Sequence, residues 1–171
     1  MNEPDEAWTA RCARLWESIE LLNEVEFVRQ IDLLASELPD GNPVAMFERA
    51  CARDSTGHPD LAAPLYRAAL SAGLSGLRRR RATIQLASSL RNLGQAGEAL
   101  SLLHAEAAQP SDELDGAVRA FLALALADLG REREALRESL VALSKYLPRY
   151  NRSLTRYADD LLSEDGGNTA A

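Results

Sequence analysis

The sequence is poor in cysteine and histidine, side chains that bind metals and act as nucleophiles. Its 171 residues include two cysteines, Cys12 and Cys51, and two histidines, His58 and His104. A zinc site needs three or four ligands from cysteine, histidine, aspartate or glutamate. No such group is suitably spaced here, so we expect no metal. The two cysteines need not pair, which fits a reduced cytoplasmic setting, and we expect both to be small buried apolar residues.

Long apolar runs, aromatic residues and lysine are also scarce. No run approaches the roughly 20 apolar residues that span a bilayer, and the acidic start of the chain lacks the apolar stretch of a secretory signal. Aromatic residues make up 5% of the chain, and Lys145 is the only lysine. Alanine and leucine dominate instead, which favours helices over strands. Arginine in place of lysine, together with abundant alanine, is typical of a GC-rich bacterial genome.

The net charge of −7 is concentrated at one end of the chain. Residues 1–40 contain ten acidic residues and three arginines, whereas residues 41–171 contain sixteen residues of each sign. An acidic excess disfavours non-specific nucleic-acid binding, which depends on neutralising phosphates. Four consecutive arginines, Arg78–Arg81, point in four directions around a helix and cannot form one flat patch. We interpret them as a solvated helix start, or as a contact for the acidic N-terminal segment.

Enzyme signatures are missing as well. No phosphate loop, dinucleotide fingerprint or nucleophile elbow is present, so we expect no cofactor. Asp54, Ser55 and His58 have the residue types of a hydrolase triad, but closeness in sequence does not produce the geometry of a triad. We therefore expect no catalytic residue, and a small enzyme is only a remote alternative.

What the sequence does contain is a repeat marked by glycine and alanine. Gly57, Gly94 and Gly130 lie 37 and 36 residues apart, and each has an alanine seven residues before it and five residues after it. The alanines are Ala50, Ala87 and Ala123 before the glycines, and Ala62, Ala99 and Ala135 after them. A glycine ends a helix easily because a positive φ costs it little. Alanine lets two helices cross closely, where a larger side chain costs about 1–3 kcal/mol. The pattern predicts helical hairpins stacked on copies of themselves.

These signals divide the chain into helical pairs. Residues 1–40 are predicted to form an acidic helical hairpin, a degenerate repeat or a cap, with a helix over 5–22 and a second helix capped by Asn23 with Glu26 as its reciprocal partner. Three repeats are predicted over 43–148, at about 43–74, 77–110 and 112–148, followed by a capping helix over 149–163 and a disordered tail over 164–171. The result is an all-α fold of about nine helices.

The repeat resembles the tetratricopeptide repeat. In that family the alanine after the turn glycine is followed four residues later by an aromatic residue and then three residues later by another alanine. Those two positions hold Tyr66 and Ala69 in the first repeat, Leu103 and Glu106 in the second, and Ser139 and Ala142 in the third. The aromatic residue that usually opens the first helix is replaced by Met46, Thr83 and Arg119. The resemblance implies a right-handed α-solenoid of antiparallel helix pairs that serves as a protein–protein interaction scaffold.

The resemblance also implies where a partner binds, because the first helices of this family line a concave face. The lining positions fall on Val44, Phe47, Cys51 and Asp54 in the first repeat, on Arg81, Ile84, Ser88 and Arg91 in the second, and on Ala117, Ala120, Leu124 and Ala127 in the third. The implied groove is apolar, with two arginines in its middle and Asn92 beside one of them. Arginine binds a carboxylate bidentately, so a peptide with an apolar stretch and one acidic group would suit the groove.

An apolar concave face can equally be covered by the protein itself. The N-terminal hairpin or a second subunit would remove the same surface from water. The chain also looks like a group of small bacterial tetratricopeptide-repeat proteins, some of which look dimeric. A self-associating structural or regulatory homodimer without a separate ligand is therefore the alternative function. Neither nucleic acid nor a membrane is an expected partner.

Overall fold

The fold consists of helices joined by short turns. The computed structural model describes residues 3–163, and in that range the chain forms nine α-helices and no strand. They are α1 (Glu6–Glu17), α2 (Glu24–Ala35), α3 (Pro43–Ser55), α4 (Pro59–Ser71), α5 (Gly76–Asn92), α6 (Ala96–Ala107), α7 (Asp115–Asp128), α8 (Glu132–Ser144) and α9 (Asn151–Ser163). The predicted all-α fold and helix number are confirmed over the described residues. None of these helices is long and apolar enough to cross a bilayer. The tail predicted over 164–171 lies outside the described residues.

The N-terminal hairpin differs in detail from the expectation. Helix α1 ends at Glu17 and not near residue 22, because the Ser18 hydroxyl donates to the Leu15 carbonyl oxygen at 2.7 Å and the chain turns there. Asn23 does cap α2, since its side-chain oxygen accepts from the Glu26 amide at 2.9 Å. The Glu26 carboxylate, however, accepts from the Arg29 and Gln30 side chains at 2.6 and 2.7 Å. Glu26 therefore binds side chains of the next turn of α2 and is not the reciprocal partner of Asn23 that was predicted.

The three repeat glycines occupy the turns between helices. Gly57, Gly94 and Gly130 have φ values of +80°, +77° and +69°, in the left-handed region that residues with a Cβ atom rarely adopt. Each lies two residues after the last residue of its helix, at the ends of α3, α5 and α7. The spacing of the glycines therefore sets where three of the helices stop.

The chain divides into two compact units, with the division after Leu93. This point lies inside the segment predicted as the second repeat. In the first unit α3 packs against α2, α4 and α5, and α4 also packs against α5. The helices meet at fully buried alanines, among them Ala50, Ala62, Ala69 and Ala87. Tyr66 fills the space beside them and is also fully buried.

The second unit holds α6 to α9, each packed against the next along the chain. Ala99, Ala123, Ala135 and Ala142 are buried there. The third repeat has Arg119 and Ser139 at positions that are usually aromatic in the family. Ion pairs lie in this region. Arg119 of α7 donates to the Glu138 carboxylate of α8 at 2.5 Å, and Arg137 binds both Glu138 and Asp159 of α9. Polar contacts thus join α7, α8 and α9.

Candidate partner-binding site

A cleft of about 470 Å³ lies in the first unit between α1, α3 and α5. We call it the α1 cleft. Its lining includes Trp8, Cys12 and Trp16 of α1, Glu48, Cys51 and Ser55 of α3, and Arg78, Arg81 and Gln85 of α5. Both tryptophans of the chain are therefore wall residues of one cleft. The cleft combines apolar and polar surface with charges of both signs.

Local interactions hold α1 in place as one wall of this cleft. Asp5 caps the helix by accepting from the Trp8 amide at 2.7 Å. The Trp8 indole N–H donates to the Leu34 carbonyl oxygen at 2.9 Å, which ties α1 to the end of α2. The Trp16 indole N–H donates to Oε2 of Glu48 at 2.8 Å, which ties α1 to α3. A buried indole N–H needs an acceptor, so the two indoles fix the helix at both ends.

Arg81 is a charged residue of the cleft that could bind a ligand. Its guanidinium carbon lies 5.3 Å from the centre of the Phe47 ring. This cation–π contact orients the guanidinium group. Arg81 is exposed, and it has no ion-pair partner among residues 3–163. Arg78, one turn earlier on the same helix, is paired with Glu3 at 3.3 Å. An oriented, uncompensated guanidinium at a cleft is suited to an anionic group of a ligand.

A buried polar network lies next to the cleft. The Ser89 hydroxyl donates to Oδ1 of Asp54 at 2.9 Å, and the Tyr66 hydroxyl donates to Oδ2 at 3.3 Å. The Cys51 thiol donates to the Gln85 side-chain oxygen at 3.4 Å. Burial raises the pKa of Asp54, and the two hydrogen bonds oppose that shift. The network joins α3, α4 and α5 and so sets the positions of the cleft residues on α3 and α5.

The cysteines are not nucleophiles at neutral pH. Cys12 and Cys51 are both free and buried. Burial raises the pKa of each thiol to about 12, and the nearby Glu48 carboxylate adds to the shift. The thiols are therefore protonated, and the thiolate is the reactive form of cysteine.

The groove residues predicted from sequence fall into different environments. Val44, Phe47, Cys51 and Ile84 are buried, and Asp54, Ser88 and Arg91 are half-buried. Arg81, Asn92, Ala120 and Leu124 are exposed, the last two on α7 in the second unit. The structure brings Cys51 and Arg81 together in the lining of the α1 cleft, and the buried Phe47 ring contacts Arg81. For the other positions a binding role stays a prediction.

Sequence reasoning missed the other half of the cleft. Trp8 and Trp16 lie in the helix predicted over 5–22, but the sequence does not indicate where that helix docks. Glu48 and Gln85 also went unnoticed, although Glu48 lies three residues before Cys51 on the same side of α3. A usable signal was the pair of indole N–H groups, each of which requires an acceptor when buried.

The structure tests two specific arrangements, a cluster of metal ligands and the grouping of Asp54, Ser55 and His58. No group of three or more potential metal ligands occurs in residues 3–163. Ser55 lines the α1 cleft, whereas His58 lines a different cleft. Asp54 is bonded to Ser89 and Tyr66. These three residues thus do not form the hydrogen-bonded relay of a hydrolase triad.

Comparison with known families agrees with the repeat pattern. A family model described as Tetratrico peptide repeat matches residues 43–161 of the chain. The match begins where the first repeat was predicted to begin, and it extends into α9. No curated protein and no solved structure gives a significant match.

Proposed function

The chain belongs to the tetratricopeptide repeat family, and from this premise we propose that it is an adaptor that binds a peptide segment of a partner protein in the α1 cleft. Tetratricopeptide repeats generally mediate protein–protein interaction, and the family is typically a non-enzymatic scaffold. The cytoplasmic setting expected from the two cysteines belongs to the same proposal.

The observation that carries the proposal is the position of Arg81. It stands at the cleft with its guanidinium against the Phe47 ring and no ion pair within residues 3–163. Stacking reduces the freedom that the side chain loses when it binds, which favours affinity. Trp8 and Trp16 supply the apolar walls, and aromatic residues and arginine dominate the energetics of protein interfaces. The partner segment would present an apolar side chain between the indoles and a carboxylate to Arg81.

The experiment is a selection of peptides from a phage-displayed random library against the complete chain. Affinities of the selected peptides would be measured from the change in tryptophan emission, because both tryptophans line the cleft. Enriched peptides should contain an acidic residue next to apolar ones. Arg81→Glu should weaken their binding by at least about tenfold, or ~1.4 kcal/mol, because it places like charges together.

Arg14→Glu is the matched control. Arg14 is an exposed arginine of α1 that does not line the α1 cleft, so this variant has the same charge change and should bind as the wild type does. Peptides that bind Arg81→Glu as tightly as the wild type, or a selection that enriches no peptide, would contradict the proposal.

A further inference from the structure

The turn before α9 and the first half of that helix present basic and aromatic side chains to solvent. Tyr150 and Tyr157, seven residues apart, are 76% and 58% exposed. Arg149 and Tyr150 precede α9 in the turn that leads into it, and Arg152 and Arg156 lie one turn apart on the helix; all three arginines are exposed. The Arg156 guanidinium lies 5.1 Å from the centre of the Tyr157 ring. We call these five residues the α9 face. None of its arginines has an ion-pair partner among residues 3–163.

The first unit has a surface of opposite character at the start of α2. A cleft of about 260 Å³, the α2 pocket, is lined by Glu24, Val25, Val28, Arg53, Thr56, His58 and Leu61. Two of its apolar members are largely in water, with Val25 80% and Leu61 51% exposed. Before the pocket along the chain, Glu17 is the last residue of α1 and Glu20 lies in the turn from α1 to α2. Like Glu24, they are exposed and have no ion pair within the described part of the chain.

The geometry points to a contact between two copies of this chain, in which the α9 face of one copy docks on the α2 pocket of the next. Three uncompensated arginines meet three uncompensated glutamates, so the electrostatic match selects this pairing over a pairing of two identical faces. A tyrosine ring of the α9 face enters the α2 pocket against Val25 and Leu61. Tyrosine and arginine are the residues most often found at the centre of such interfaces.

This contact joins two different surfaces, so it is heterologous. Each copy carries both surfaces and can bind one neighbour through its α9 face and another through its α2 pocket. The α1 cleft contributes no residue to either surface. Association and peptide binding are therefore independent and can be tested separately.

The test measures the molar mass of the complete chain by light scattering after size exclusion, over a range of concentrations at low and high salt. The wild type should gain mass with concentration at low salt and lose it at high salt, because the arginine–glutamate contacts are screened. Arg149→Glu/Arg152→Glu/Arg156→Glu and Glu17→Lys/Glu20→Lys/Glu24→Lys should each remain monomeric. All six residues are exposed, and far-UV circular dichroism would verify that both variants are folded.

An equal mixture of the two charge-reversed variants is the decisive sample. The acidic α9 face of the first variant then meets the basic α2 region of the second, and the mixture should associate although neither variant does so alone. Arg14→Glu and Glu113→Lys, exposed charge reversals outside both surfaces, should behave as the wild type. A wild type that stays monomeric, association that survives both reversals, or a mixture that stays monomeric would overturn the proposal.

Discussion

At the scale of the residue, the conformation of glycine and the hydrogen bonds of buried polar groups affect the free energy of unfolding. Gly94 has a φ of +77° and lies in a turn, whereas Gly97 lies within α6. A Cβ atom added at either position would meet no atom within 4 Å. Backbone conformation alone therefore distinguishes these two glycines.

Alanine at these two positions should have opposite effects. Gly94→Ala should destabilise the protein by about 1–2 kcal/mol, because the left-handed conformation brings Cβ close to a carbonyl oxygen. Gly97→Ala should stabilise it by about 0.5–1 kcal/mol, because alanine loses less backbone entropy in a helix. Urea unfolding of the two variants tests this. Equal effects at the two positions would show that φ does not control the turn.

Asp54 should make stability depend on pH. Its raised pKa means that the folded state holds this proton more tightly than the unfolded state. The stabilisation is complete below the unfolded pKa and is lost as pH rises above about 4 through the folded pKa. Asp54→Asn should abolish this component, and unfolding free energies measured across the acidic range would reveal it. An unchanged pH profile in Asp54→Asn would contradict the assignment.

The same position tests the hydrogen-bond network through a second variant. Asp54→Ala removes the acceptor of the buried Tyr66 hydroxyl and one acceptor of the Ser89 hydroxyl. A buried polar group without a partner costs about 1–3 kcal/mol. Asp54→Asn keeps an acceptor oxygen and should be clearly more stable than Asp54→Ala at neutral pH.

At the scale of the element, the second unit replaces aromatic packing with charges. Ser139 stands at the position that Tyr66 and Leu103 occupy in the other repeats, and it is exposed. Arg119 and Glu138 form an ion pair between α7 and α8, and the Glu138 side chain is only 10% exposed. Helix pairing in this unit therefore includes a polar contact that the family pattern does not contain.

Removing one member of this pair should cost more than removing both. Glu138→Ala should destabilise the protein by about 1.5–3 kcal/mol, because Arg119 and Arg137, whose side chains are about 30% exposed, lose a charged hydrogen-bond partner. Arg119→Leu/Glu138→Leu should recover most of that loss, because apolar groups of similar volume often replace a buried pair at little cost. A thermodynamic cycle with the single variants measures the coupling. Additive effects would mean that the ion pair does not join the two helices.

At the scale of the whole molecule, residues 1–40 carry the acidic excess, but apolar packing and not charge attaches this segment to the rest of the first unit. Phe27 and Ile31 of α2 form a buried apolar cluster with Ala52 of α3, and Trp16 and Val28 pack against it. The ion pair between Glu3 and Arg78 is largely exposed and spans 3.3 Å. Exposed pairs contribute about 0–1 kcal/mol, so the apolar cluster dominates.

Two substitutions separate these contributions. Phe27→Ala should cost about 3–5 kcal/mol at any salt concentration, because it opens a cavity in the cluster. Glu3→Gln should cost less than about 1 kcal/mol, and that cost should vanish at high salt. Unfolding measured at low and high salt gives both numbers. A large, salt-sensitive loss in Glu3→Gln would show that electrostatic contacts hold the N-terminal segment.

The sequence by itself determined the helices, their turns and the family. Gly57, Gly94 and Gly130 end helices because φ is a local property, and Asn23 caps α2 because the amide N–H that its side-chain oxygen accepts from lies three residues away, at Glu26. Only the tertiary structure decided which surfaces meet. Trp16 binds Glu48 across 32 residues, and Ser89 binds Asp54 across 35. Such pairings depend on how helices cross and on which rotamers fit between them, and periodicity along one helix contains no information about its neighbours.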